Sequence, residues 1–380
     1  MPHSFSIWEK ETYYARQDII IAGAGLMGLW AALELKERSP HLKITIIERK
    51  STPGGASMRN AGFACFGSPT ELLSNAKLLG TDAMLQLVET RYKGIEKINA
   101  SFTAAAIGYD ACGGYECINS NTNNGSNWND ELNELNKALA EITGHKQVFT
   151  FANEKLVDFG LIGFEGLIQN EMEAALHSGK LVSCLTRKAQ DAGITILYGL
   201  AICNWEKQGQ NICINTLQDI SFSAKQLLFC TNAFTSQLLP QLTVTPARGQ
   251  IILTSPIEGL ALKGSFHYEL GFYYWRNLGN RILLGGARNL AFDEEETLDL
   301  AGSVFIRNAL ESFLHKHLDT KYPFSIEQHW SGIMGFTQDR KPLVTQISDG
   351  IFASIACNGM GVALTPMIAE NTAKLMMQYF

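Results

Sequence analysis

The pattern Gly23-x-Gly25-x-x-Gly28 restricts the fold of this chain more than any other feature of the sequence. It follows Asp18-Ile19-Ile20-Ile21-Ala22, a β-branched run that reads as a buried strand. Leu26 to Arg38, rich in Leu, Ala, Glu and Lys, reads as the helix that the glycines open. Ser39-Pro40-His41 breaks this helix, and Lys43 to Glu48 reads as a second strand. The whole is a βαβ unit with Glu48 standing 20 residues past the last glycine. In that context the glycines are a dinucleotide fingerprint. Gly23 permits a tight turn, Gly25 lets the backbone approach a pyrophosphate, and Gly28 allows close helix–sheet packing. The helix start, with Leu26 and Met27, supplies N–H donors and positive potential. Glu48 would accept hydrogen bonds from a ribose. The unit also explains the most apolar stretch, Ile19 to Leu35, without an integral membrane segment.

Composition narrows the remaining classes. Lys plus Arg number 31 against 37 Asp plus Glu, a net charge of −6 that argues against a nucleic-acid binder or a polybasic membrane-surface protein. With 46% hydrophobic and 18% charged residues, the chain can bury a large core, and disorder is excluded as its main state. A length of 380 residues suggests two or three domains at ~150 residues each. The eight cysteines form no CxxC pair, which points to a reducing compartment, most simply the cytoplasm. Met1-Pro2-His3-Ser4 does not open a secretory signal, so the glycosylation patterns at Asn99 and Asn124 read as chance. His315-x-His317 falls on an expected helix, where the two side chains diverge, so no metal site is expected.

Further along, Ser68 to Ala140 reads as helical, and Cys117 to Asp130, with six asparagines, as an exposed loop. Gly179 to Ala192 reads as a helix ending at Gly193, followed by the strand Ile194–Leu197. Alternation in Ala201–Trp205 and Ile212–Leu217 predicts antiparallel strands, and Gln226–Cys230 another buried one. After Pro246 alternation resumes through Tyr273-Tyr274-Trp275-Arg276 and Arg281–Gly285. Glu294-Glu295-Glu296 is expected to open a helix, its charges facing the dipole. Ile351–Ala356 reads as a strand, and Pro366 to Gln378 as the last helix.

A second glycine-rich segment follows Glu48: Arg49-Lys50-x-x-Pro53-Gly54-Gly55-Ala56-Ser57-Met58-Arg59-Asn60-Ala61-Gly62. An NAD-binding domain would normally pass straight into another helix. This run resembles the D-amino-acid oxidase-like (DAO) superfamily of FAD-dependent amine and amino-acid oxidoreductases. The resemblance extends through Cys230-Thr231-Asn232-Ala233, Pro246-Ala247-Arg248-Gly249-Gln250, Gly332 to Pro342, and Asn358-Gly359-Met360-Gly361. It implies that FAD is held by Gly23, Gly25, Leu26, Met27, Gly28, Glu48, Arg49, Ser57, Arg59, Asn60, Ala61, Gly62, Thr231 and Asn232. Ile202 would meet the adenine through its backbone; Arg59, from its place in the loop, reads as a partner of a flavin phosphate or as a solvated side chain. Gly332, Asn358, Gly359, Met360, Gly361 and Val362 would surround the isoalloxazine. Attachment is expected to be noncovalent, because the position of the flavin-bonding cysteine of some members is about Gly332. Cys65 and Cys357 read as buried structural thiols.

By the same resemblance the fold is α/β, a Rossmann-like FAD-binding domain interleaved with a smaller α+β substrate domain on a mixed or antiparallel sheet. The FAD domain would take 1–75, 160–245 and 325–380, and the substrate domain 76–159 and 246–324. The implied reaction is oxidation of a C–N bond of an amine or amino acid by hydride transfer to flavin N5, with O2 as acceptor. The alternatives are a dehydrogenase feeding a quinone or carrier, and a noncatalytic FAD-stabilised binding protein. Candidate pocket residues are Tyr273, which matches a substrate-binding position, Arg276 and His329. Alternation separates Tyr273 and Trp275 from Tyr274 and Arg276, so they cannot all face a flavin. His329, just before the Gly332 segment, reads first as a hydrogen-bonded structural histidine and second as a residue approaching the flavin. Met334 stands where amino-acid-oxidising members commonly carry a carboxylate-pairing arginine. A carboxylate-bearing substrate would then need another cation, with Arg276 the first choice.

Overall fold

A computed structural model describes residues 4–119 and 127–380. The βαβ unit forms as the strand Gln17–Ala22, the helix Leu26–Arg38 and the strand Ile44–Glu48. The chain packs as two compact units, one of Met1–Met58, Gly179–Ala247 and Met334–Phe380, the other of Arg59–Ser178 and Arg248–Ile333. Segments 59–75, 160–178 and 325–333, expected with the nucleotide-binding part, pack within the second unit. Two of the four crossings between units fall inside strands, Thr245–Thr254 and Ile326–Phe336.

In the first unit the strands lie in the order Leu343–Ser348, Ile351–Ile355, Ser221–Phe229, Gln17–Ala22, Ile44–Glu48, Thr195–Tyr198. All neighbours pair in parallel except the first two. The expected antiparallel pair forms as Ile202–Gln208 against Asn211–Thr216, which in turn pairs Ser221–Phe229. Helices Leu26–Arg38 and Gly361–Met377 pack side by side. Each follows a parallel strand, so both N-termini stand at the carboxyl edge of the sheet, where α/β folds bind ligands. The last helix starts five residues before its expected start at Pro366, which lies inside it. One proline within the first two turns removes a single hydrogen bond, and ten buried residues hold the helix nonetheless.

In the second unit eight strands run Ile326–Phe336, Thr245–Thr254, Arg281–Gly286, Tyr273–Leu278, Ser265–Tyr268, Gly114–Ile118, Gly166–Asn170, Thr150–Phe151. One face carries a core of Phe266, Trp275, Ile282, Leu284 and others against the helix Val304–His317. The region read as wholly helical holds the helices Pro69–Leu79 and Thr81–Ser101, but also the buried strand Gly114–Ile118. Cys117 therefore sits in a sheet rather than a loop, and Asn129 in the helix Trp128–Thr143. Asn121, Asn123 and Asn124 lie outside the described residues. Glu294–Glu296 does not open the long helix. A one-turn helix, Phe292–Glu295, ends there, and Ser303 caps the long one through Ile306 N–H.

Glu295 is fully buried instead, because Arg248 and Gln250 need it. Its carboxylate accepts from Arg248 Nε at 2.9 Å and Nη2 at 2.8 Å, and from Gln250 Nε2. Glu295→Ala strands a buried guanidinium and is expected to cost ~3–5 kcal/mol of unfolding free energy, measured by urea denaturation.

A second polar cluster is built on acids. Glu116 accepts from Ser68 Oγ, Thr70 N–H and Thr70 Oγ1; Glu173 accepts from the N–H groups of Phe66 and Gly67. Burial pushes Glu116 up to about 7 and Glu173 up to about 8. The fold therefore holds protons that the unfolded chain releases above its carboxyl range. Stability is full below that range and declines as pH rises toward 8, at ~1.4 kcal/mol per pH unit for each such group. Buried His267, lowered to about 4, works the other way up to its ordinary value near 6.5, so unfolding free energies should fall most steeply just above pH 6.5, and Glu173→Gln should flatten that slope.

Candidate functional site

The glycine loop of the first unit is shaped by contacts that leave no room for side chains. A Cβ on Gly23, whose φ is +108°, would lie 2.8 Å from Cys230 O, and one on Gly28 would collide with Gly23 O. A Cβ on Gly25 would lie 2.9 Å from Ser57 Oγ, which already accepts the Leu26 N–H at 2.9 Å. Ser57 thus ties the second glycine-rich segment to the start of the helix. Glu48 ties the same two segments together, accepting Ala24 N–H through Oε2 and Lys50 N–H through Oε1, both at 3.0 Å. Arg49 is exposed and lays its guanidinium 3.7 Å from the Phe234 ring centroid. Neither N-cap residue, Gly25 or Met360, caps its own helix with a side chain, and the neutral Ser57 hydroxyl takes only the Leu26 N–H, so positive potential from both helices remains at this edge of the sheet.

The other expected groups of this unit surround that edge. Asn232 and Asn358 take positive φ, as does Gly359. Asn358 Oδ1 accepts Thr337 N–H at 3.0 Å while its Nδ2 donates to Ala356 O, which fixes the turn into Met360, Gly361 and Val362. Thr231 Oγ1 meets Thr235 Oγ1 at 2.8 Å, and Met27 Sδ accepts from Ser354 Oγ. Ile202 is half-buried at the start of its strand. Met334 is half-buried, its Sδ 3.7 Å from where a Gly359 Cβ would be.

Arg59, Asn60, Ala61, Gly62 and Gly332 belong to the second unit. Arg59 Nη1 donates to Ser331 O at 2.7 Å, and Gly332 backs directly onto the Arg59 side chain. Asn60 Oδ1 accepts Gly62 N–H and Ser178 Oγ, closing its own turn. Arg276 is spent on the same loop: Nη1 donates to Gly62 O at 3.0 Å and Leu176 O at 2.9 Å, and Nε to Asn277 O. It holds backbone carbonyls and is not a ready partner for a carboxylate. Tyr273 stacks on Phe313 at 4.3 Å within the helix-covered core, so it does not share a face with Tyr274. His329 is exposed. Tyr274 lies on the opposite face with Ala61, Ile251, Leu253, Leu283, Phe63 and Trp330. Beside it His267 is buried, and desolvation lowers it to about 4, which keeps the ring neutral.

The family model described as FAD dependent oxidoreductase, DAO, matches residues 18–375. The chain belongs to the DAO family of FAD-dependent oxidoreductases. A Haemophilus influenzae protein described as a probable oxidoreductase, OrdL, is 23% identical over 96% of this chain and 83% of its own length. Among solved structures, L-proline dehydrogenase from P. horikoshii superposes with a TM-score of 0.77 at 15% identity, covering 96% of this chain and 94% of its own. Glycine oxidase from Geobacillus kaustophilus gives 0.75 at 18% identity, covering 96% and 95%. The cofactor of this DAO-family enzyme is FAD. The cradle fits it: loop backbone without Cβ atoms for the pyrophosphate, two helix N-termini for anionic groups, and Glu48 fixed at the end of its strand.

Sequence alone pointed to Tyr273 and Arg276 and passed over His267 and Glu116. Their signal lay in pairing that no linear pattern reveals: His267 stands opposite both Glu116 and Tyr274 on neighbouring strands. No described helix is long and apolar enough to cross a membrane, and no metal-binding group of His, Cys, Asp or Glu occurs among the described residues.

Gly25→Val should displace Ser57 Oγ and free the Leu26 N–H while leaving the rest of the βαβ unit in place. The purified variant is expected to carry less than a tenth of stoichiometric FAD by absorbance, with an unchanged far-UV spectrum.

Proposed function

We propose that this enzyme oxidises a carbon–nitrogen bond of an amine or amino acid, with O2 as the electron acceptor. When bound, FAD supplies the hydride acceptor at N5, and the resulting imine product hydrolyses in water. The observation that carries the reading is the apolar face around Tyr274. That face carries Phe63, Ile251, Leu253, Leu283 and Trp330 packed together, with a neutral His267 beside them. Amines lose their charge in such surroundings, because desolvation penalises the ammonium form. The neutral amine is the form whose lone pair expels a hydride from the adjacent carbon. Similarity to proteins described as glycine oxidase and L-proline dehydrogenase supports the same bond type.

The residues also support a noncovalent cofactor. Gly332 has no side chain to bond the flavin. Thiolates are the nucleophilic form of cysteine. Burial pushes Cys357 up to about 12 and Cys65 well above its ordinary value, so both stay protonated. Met334, beside Gly359, lacks the donors that pair a carboxylate.

The purified protein is expected to be yellow, and acid precipitation to release its FAD into the supernatant. Colour kept in the pellet would contradict noncovalent binding. Anaerobic mixing with a panel of amines and amino acids should bleach the flavin with at least one compound, and air should restore the colour within the time of turnover. A flavin that no compound of either class reduces would rule the proposed reaction out. Reoxidation by a quinone but not by O2 would replace the acceptor.

A further inference from the structure

Gly114 stands level with Ser265 on the neighbouring strand, and a side chain there would collide with the Glu173 carboxyl. Glu173 thus lies flat on the sheet, in the space that the glycine leaves open. Its Oε1 accepts the Phe66 and Gly67 N–H groups, while Oε2 faces His267 Nε2 at 3.8 Å. That ring nitrogen is buried and has no hydrogen-bond partner among the described residues. The same ring meets Phe63 edge-on at 5.2 Å and stands opposite Tyr274 across the sheet. It therefore connects the buried carboxyl to the apolar face proposed for the amine. Among the described residues no cation pairs with Glu173. Glu71 and Glu116 oppose its ionisation, Arg91 is paired with Glu71, and burial keeps Cys65 and Tyr109 protonated. Desolvation raises the Glu173 carboxyl to about 8, whereas an amine that holds its proton up to about 10 in water is lowered by the same loss of water. The two proton affinities converge, and a neutral amine beside a neutral carboxyl costs less to bury than two ions.

We infer that Glu173 takes, through His267, the proton that the substrate ammonium must lose before hydride transfer. The inference rests on the amine or amino-acid reading and deepens it. An N–H bond of the ammonium breaks, its electron pair stays on nitrogen, and the proton joins one ring nitrogen of His267. The other ring nitrogen gives its own proton to the Glu173 carboxylate. The two transfers are concerted, because desolvation disfavours a charged ring and holds His267 near 4. The neutral amine then gives its hydride to FAD. Catalytic hydrogen bonds are often as long as the His267–Glu173 contact before substrate binds, and tighten afterwards.

tert-Butylamine has no hydrogen on the carbon beside its nitrogen, so it tests the relay without turnover. Calorimetric titration of the purified flavoprotein in buffers of different ionisation enthalpy counts the protons released as it binds. The wild type should release about one proton per amine at pH 6.5 and about a tenth at pH 9, with the midpoint near 8. Glu173→Gln should bind it with a release that does not change over that range. His267→Asn should keep the pH-dependent release and slow anaerobic flavin reduction by a substrate amine at least tenfold, with FAD content retained. A wild-type release that does not vary with pH, a variation that survives in Glu173→Gln, unslowed reduction in His267→Asn, or no binding of tert-butylamine would each overturn the inference. The wild-type profile decides even where Glu173→Gln does not fold. Amine oxidation with a pH-invariant release would remove the relay and keep the C–N reaction. Glu173-dependent release with no flavin reduction by any amine or amino acid would do the reverse.

Discussion

The Glu48 carboxylate is the constraint on which the cofactor site depends. One oxygen holds Ala24 N–H in the first glycine loop, and the other holds Lys50 N–H at the start of the second. Two loops rich in glycine lose more backbone freedom on folding than any others would, so each needs an anchor. A half-buried carboxylate bonded to two N–H groups is such an anchor, since charge-assisted bonds are about twice as strong as neutral ones. Ser57 adds the second tether, at the first residue of the helix. The cradle is therefore shaped by protein–protein hydrogen bonds before any nucleotide arrives.

What the sequence disclosed followed sequence distance. The βαβ unit is local: strand, turn, helix and strand are contiguous, their periodicities are clear, and the helix Leu26–Arg38 matches its reading at both ends. The sheet of the second unit is not local. Gly114–Ile118 lies parallel to Ser265–Tyr268, some 150 residues away, and only that register puts Glu116 beside His267. A strand of five buried residues between helices carries no pattern that separates it from helix. Charge misled in the same way. Glu295 read as a helix opener because a linear pattern carries no sign of Arg248 and Gln250 closing on it.

The candidate site divides along the same line. The glycines, Glu48 and Ser57 were legible because their roles are backbone roles fixed within one supersecondary motif. Strand alternation correctly separated Tyr273 from Tyr274, but which face packs on the helix Val304–His317 is a tertiary fact. Arg276 looked free because carbonyl acceptors such as those of Gly62 and Leu176 leave no trace in side-chain identity.

The strand crossings at 247/248 and 333/334 bear on how such a protein can change over time. A cassette can be exchanged between genes when its ends fall in loose loops, since the join then disturbs little. Here each unit is assembled from several stretches, and two of the joins lie inside hydrogen-bonded ladders. Neither unit can be lifted out by one insertion or deletion without cutting a strand. Change in this architecture therefore falls on substitutions and loop insertions that leave both ladders whole.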